Sequence, residues 1–68
     1  MEKISISSEY IKLDQFLKWS GVADSGVVAK DMILSELVKV NGEIEIRRGK
    51  KLYPGDTVEV LGQKFIVE

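Results

Sequence analysis

The 68-residue chain contains no cysteine and no histidine. Without cysteine there is no disulfide and no thiolate to hold a metal. Without histidine, the commonest general base and the commonest zinc ligand are both missing. The carboxylates are scattered, and none is paired within an apolar run that would raise its pKa for acid–base work. These absences argue against catalysis, and no metal or cofactor is expected. No apolar run approaches the roughly 18 to 20 residues needed to span a bilayer. The opening MEKISISSEY alternates polar and apolar residues and does not read as a signal peptide. A cytosolic protein with no membrane association and no small-molecule substrate is expected. No repeat, low-complexity tract or linker divides the chain, so residues 1–68 are expected to form one domain. A chain this short buries only about 60% of the surface its unfolded form exposes, so its core must be thin.

What is present is an ordinary globular composition, 44% apolar and 31% charged. Ile4 and Ile6 in KISIS (3–7) alternate at period two and predict a short strand. Leu13, Phe16 and Leu17 recur at helical spacing, with Gly21 as a left-handed stop, and Asp14 and Lys18 are spaced to pair on the exposed face. Asp24 or Ser25 can cap a second helix whose buried stripe is Ala29, Met32 and Ile33, with Leu37 as its next member. The few residues between the helices imply that they pack as neighbours.

From Leu37 the period changes to two, through VKV, Asn41-Gly42 and EIEI, which signals a hairpin. A two-residue loop would set Val40 opposite Glu43, mixing apolar and charged residues on one face. A three-residue loop pairing Val38 with Ile44 is therefore the expected register. Pro54 and Gly55 in YPGD suit a type II turn, and TVEVLGQKFIVE reads as two strands around Gly62, with Val58, Val60, Phe65 and Val67 facing inward. The order of elements predicts an α+β fold, two short helices packed on a small, mostly antiparallel sheet.

Charge is distributed unevenly. The formal net charge is -1, yet four of the ten cations are Arg47, Arg48, Lys50 and Lys51. Arginine offers a planar fork to phosphate oxygens and lysine a mobile point charge. Gly49 between the pairs lets the backbone turn tightly, so that both pairs can face one ligand. A solvated hairpin tip accounts for the same run equally well. The start of the second helix, DSGVVAK, has the free N–H groups of an anion site, but an ordinary capped helix is the expected reading. Trp19 is the only tryptophan; an indole can stack on a base, but a partly buried packing role is expected. Tyr10 and Tyr53 are weaker stacking candidates still.

Taken in order, KLDQFL, AKDMI, VKVNG and PGDTVEV resemble the S4 RNA-binding domain, named after a small-subunit ribosomal protein, with its αL motif. The resemblance runs from Lys12 to Val60, and its specificity lies in the whole series rather than in any one piece. It implies a basic surface, built from the two helices and the 46–52 loop, that meets structured RNA through phosphates and shape. The matching positions are Lys12 before the Leu-Asp of helix one, Lys30 in helix two and Lys39 between the valines. Arg47, Arg48, Lys50 and Lys51 fall in the loop, where the family varies but is often basic. Two departures stand out. Ser25-Gly26 replaces a Ser-Arg pair and removes one phosphate contact. Glu36 replaces a glycine, placing a carboxylate beside the surface and implying a different helix end.

The resemblance implies a non-enzymatic RNA-binding protein directed at ribosomal RNA or a ribosomal subunit, like the small bacterial members linked to ribosome assembly or rescue. The other open reading is a protein-interaction module that docks a ribosomal or other acidic partner. A ubiquitin-like sulfur carrier also suits PGDTVEV, but the sequence ends FIVE instead of the Gly-Gly such carriers need.

Overall fold

Every buried side chain is apolar, so the spacing of these residues decides which elements form and which way they face. The computed structural model describes residues 1–68. In chain order the elements are β1 (Glu2–Ile4), β2 (Ile11–Lys12), α1 (Leu13–Trp19), α2 (Gly26–Leu34), β3 (Val38–Val40), β4 (Glu43–Ile44), β5 (Lys51–Leu52), β6 (Thr57–Val60) and β7 (Gln63–Val67). Five strands form one sheet in the order β1-β7-β6-β3-β4, while β2 and β5 pair separately. All pairings are antiparallel except β1 with β7. This is the expected α+β fold. No helix is long and apolar enough to cross a membrane.

The helices contribute Leu13, Phe16 and Leu17 from α1 and Ala29, Met32 and Ile33 from α2. These pack in one cluster with Val38, Val40, Leu52, Val58, Val60, Phe65 and Val67. The alternating valines put one sheet face against the helices, as a period of two requires. Phe16 meets Phe65 of β7 edge to face, with centroids 5.9 Å apart, tying α1 to the sheet. Each fully buried Leu or Phe contributes about 1.5–3 kcal/mol, so this single cluster carries most of the stability.

The turns follow the sequence with informative exceptions. Gly21 has φ 85° and its N–H donates to the Lys18 carbonyl, ending α1 as expected. The Asp56 N–H closes the YPGD turn on the Tyr53 carbonyl, with φ 101° at Gly55, as a type II turn requires. Leu37 lies outside α2 and is exposed. The Asp14–Lys18 pair does not form; an Asp14 oxygen accepts the Gln15 N–H at 2.8 Å instead. The first strand ends at Ile4 rather than continuing to residue 7.

The hairpin register is also corrected. Val40 pairs with Glu43 and Lys39 with Ile44, with Asn41 and Gly42 both left-handed (φ 52° and 86°). This is the two-residue loop that the facing rule disfavoured. The rule fails because β4 is a short edge strand whose two residues are both exposed, so neither face of it must be apolar. The turn is fixed from the other side: the Asn41 carboxamide oxygen accepts the Thr57 N–H at 2.9 Å, and its NH2 donates to Asp56 at 3.2 Å. Gly42 supplies the second left-handed residue that the two-residue loop requires.

Candidate nucleic-acid interface

The loop between β4 and β5 begins on a clamp. Glu45 accepts two hydrogen bonds from the Arg47 guanidinium, at 2.9 Å from Nε and 3.0 Å from Nη2, and a third from the Arg47 backbone N–H at 3.1 Å. The guanidinium hydrogen bond holds the Glu45 carboxyl below its ordinary pKa, against an opposing effect of burial. Hydrogen bonding to Glu45 in turn raises that of Arg47. This is the only ion pair in the protein. Residues two apart in extended chain share a face, so EIR in the sequence carried the signal of this pair, which was not read there.

Beyond Arg47 the chain turns back. The Lys50 N–H donates to the Arg47 carbonyl at 3.1 Å. Gly49 is not left-handed, and a Cβ there would meet open space. The turn therefore does not depend on glycine, contrary to expectation.

The same loop closes the start of α1. Lys12, the N-cap residue, makes no side-chain cap. The first two helical N–H groups, of Leu13 and Asp14, donate instead to the carbonyls of Lys50 (2.8 Å) and Arg48 (3.0 Å). Backbone donors that would otherwise be orphaned thus anchor the loop. Its side chains remain outward, with Arg48 and Lys51 exposed and Lys50 half-buried. The loop backbone is thus tied to α1, while its charges stay in solvent.

Pairing of β2 with β5 then sets Lys12 directly opposite Lys51. Like charges at facing positions destabilise a strand pair, and no carboxylate forms an ion pair with either lysine. Lys51 lies over the Tyr10 ring, its Nζ 4.8 Å from the centroid, and Tyr10 in turn packs on Tyr53 at 5.8 Å. The quadrupole of the ring offers partial compensation. Tyr10 therefore supports a cation, a role its position in the sequence did not disclose.

Four of the predicted residues, Lys12, Arg48, Lys50 and Lys51, converge on the start of α1. Arg47 is beside them but engaged by Glu45. Two others lie on different elements. Lys30 is exposed on α2, and Lys39 lies on the outer sheet face between Ile44 and Glu59. The start of α2 is an ordinary cap, with Ser25 Oγ accepting the Val28 N–H at 3.2 Å. Trp19 is not packed as expected: it is 68% exposed.

Comparison with known proteins gives this geometry a context. A model of the S4 domain matches residues 4–68. The chain is 51% identical over 59 residues to RlbA of Bacillus subtilis (strain 168), named a probable ribosome maturation protein, covering 87% of this chain and 83% of the relative. It is 38% identical over 58 residues to YbcJ of Escherichia coli (strain K12), covering 85% of this chain and 83% of YbcJ. The solution structure of E. coli YbcJ, described as revealing an αL motif involved in RNA-binding, superposes with a TM-score of 0.74 at 34% identity. The match covers 98% of this chain and 86% of that one.

Proposed function

We propose that this chain, which belongs to the S4 domain family, is a non-enzymatic protein that binds structured RNA and acts on ribosomal RNA during ribosome maturation. The observation that carries the reading is the Lys12–Lys51 facing pair, with Arg48 and Lys50 beside it and none of the four held in an ion pair. A fold gains nothing from concentrating like charges on its smallest strand pair. Phosphate oxygens would turn that repulsion into attraction. The names of the relatives point the same way: one to ribosome maturation, the other to RNA binding through an αL motif.

Lys12, Arg48, Lys50 and Lys51 form the primary phosphate grip in this reading. Arg47 is a reserve contact, and Lys30 and Lys39 are outlying ones that a large RNA reaches by shape. Because the RNA is recognised through its backbone and 2′-hydroxyls, a DNA duplex of the same length is a poorer ligand.

The test is a titration against structured ribosomal RNA fragments and a matched DNA duplex, for the wild type and for an Arg48→Ala, Lys50→Ala, Lys51→Ala variant. The backbone carbonyls that cap α1 are kept in that variant, so it should fold. Its RNA affinity is expected to fall by at least tenfold, since each contact to a charged group is worth about 1.5–3 kcal/mol before screening. Unchanged RNA affinity in a folded variant, or equal wild-type affinity for DNA, would sink the reading.

A further inference from the structure

We propose that the pocket beside Trp19 accepts one unpaired nucleobase of the bound RNA, stacked on the indole. The proposal rests on the RNA-binding reading above and adds to it a contact that the basic cluster cannot make. The pocket has a volume of about 150 Å³ and is lined by Ile6, Ser7, Ser8, Ile11 and Trp19. Ile6 and Ile11 pack against the core from the side, so this wall is held in place, while Trp19 stands out at the end of α1. An indole this exposed makes little contribution to the core and leaves a large aromatic face without a partner.

The chemistry of the lining selects the ligand. No charged side chain lines the pocket, so a phosphate has no counter-ion there. A nucleobase has apolar faces for the indole and the isoleucines, and a polar edge for the two serines. The Ser8 hydroxyl donates to the Tyr10 carbonyl at 2.7 Å, which leaves its lone pairs to accept an amino or imino N–H of the base.

The pocket is continuous with the cation cluster through β2. Ile11 lines the one and Lys12 belongs to the other, and successive strand residues project to opposite faces. The outer edge of β2 has no strand beside it, because its only partner is β5. An RNA strand passing along that edge meets Lys12 and Lys51 with its phosphates on one face. A base turned out of the helix reaches the pocket on the other. Tyr10, under Lys51 and bonded to Ser8, joins the two halves. An RNA with an unpaired base is therefore the preferred form of the ligand.

The probe is an RNA hairpin carrying a single bulged adenine, compared with the same hairpin fully paired. Wild-type protein is expected to bind the bulged hairpin ~5- to 150-fold more tightly, the range of one base–aromatic stack. The fluorescence of Trp19, the only tryptophan, should be quenched in that complex. Trp19→Ala should abolish the preference while still binding the paired hairpin, and Trp19→Phe should restore part of it. Equal wild-type affinities without quenching, alongside salt-sensitive binding of the paired hairpin, would overturn the pocket and leave RNA binding standing. Binding of neither hairpin would overturn both.

Discussion

Arg47 is the one cation of the basic loop that already has an anion, and this makes Glu45 the residue that decides how many charges the loop presents. Glu45 holds the guanidinium fork by two hydrogen bonds, the geometry a phosphate would otherwise use. Its lowered pKa means that the pair contributes stability above the ordinary carboxylate range and loses it as the pH falls through the lowered value. At neutral pH the clamp is closed. Glu45→Gln keeps the shape and removes the charge, so RNA affinity should rise several-fold and the salt dependence steepen by about one phosphate contact. A filter-binding series at several salt concentrations reads both quantities. A fall in affinity would mean instead that Glu45 aims Arg47 at the RNA. The basic run itself was plain in the sequence. Its grouping was not, because the facing of Lys12 and Lys51 arises from a two-residue strand pair with no periodic signal.

At the scale of elements, the helices were legible because their apolar residues recur at a fixed spacing, and the core valines because they alternate. Less legible was whatever depended on an edge or on a distant partner. The β3–β4 register follows from Asn41 reaching Thr57, and β2 exists only because β5 lies beside it. The end of α2 belongs to the same lesson. Glu36, expected to alter that end, sits at φ 62° in an ordinary Schellman cap: its N–H donates to Ile33, and that of Leu37 to Met32. The geometry is the one glycine favours, and the glutamate bears the strain of it. Glu36→Gly should therefore stabilise the protein by about 1 kcal/mol, the usual cost of a left-handed non-glycine residue. Chemical denaturation would show this as a higher midpoint with an unchanged slope. A lower midpoint would show that the carboxylate makes a stabilising contribution larger than the backbone strain.

Across the whole molecule, ten cations and eleven carboxylates nearly cancel, so there is little long-range field to draw in a polyanion. Attraction has to come from the cluster at the start of α1, and it extends only about a Debye length, ~8 Å at physiological salt. Two consequences distinguish this from binding by a uniformly basic protein. The number of released counterions is set by the cluster and not by the total of ten cations, so about four phosphate contacts give a log–log salt slope near -3.6 on duplex RNA. Affinity should accordingly fall roughly 100-fold between 50 and 200 mM salt. The acidic remainder of the surface should also limit binding to unstructured polyanions, which offer charge without a shape that fits the α1 cluster. Measuring the slope on a ribosomal RNA fragment and on heparin tests both points at once. A slope near -3.6 with weak heparin binding is the expected result. A slope near -5.4 would require Lys30 and Lys39 to join the interface as fifth and sixth contacts, and so an RNA that spans α2 and the outer sheet face as well as the loop.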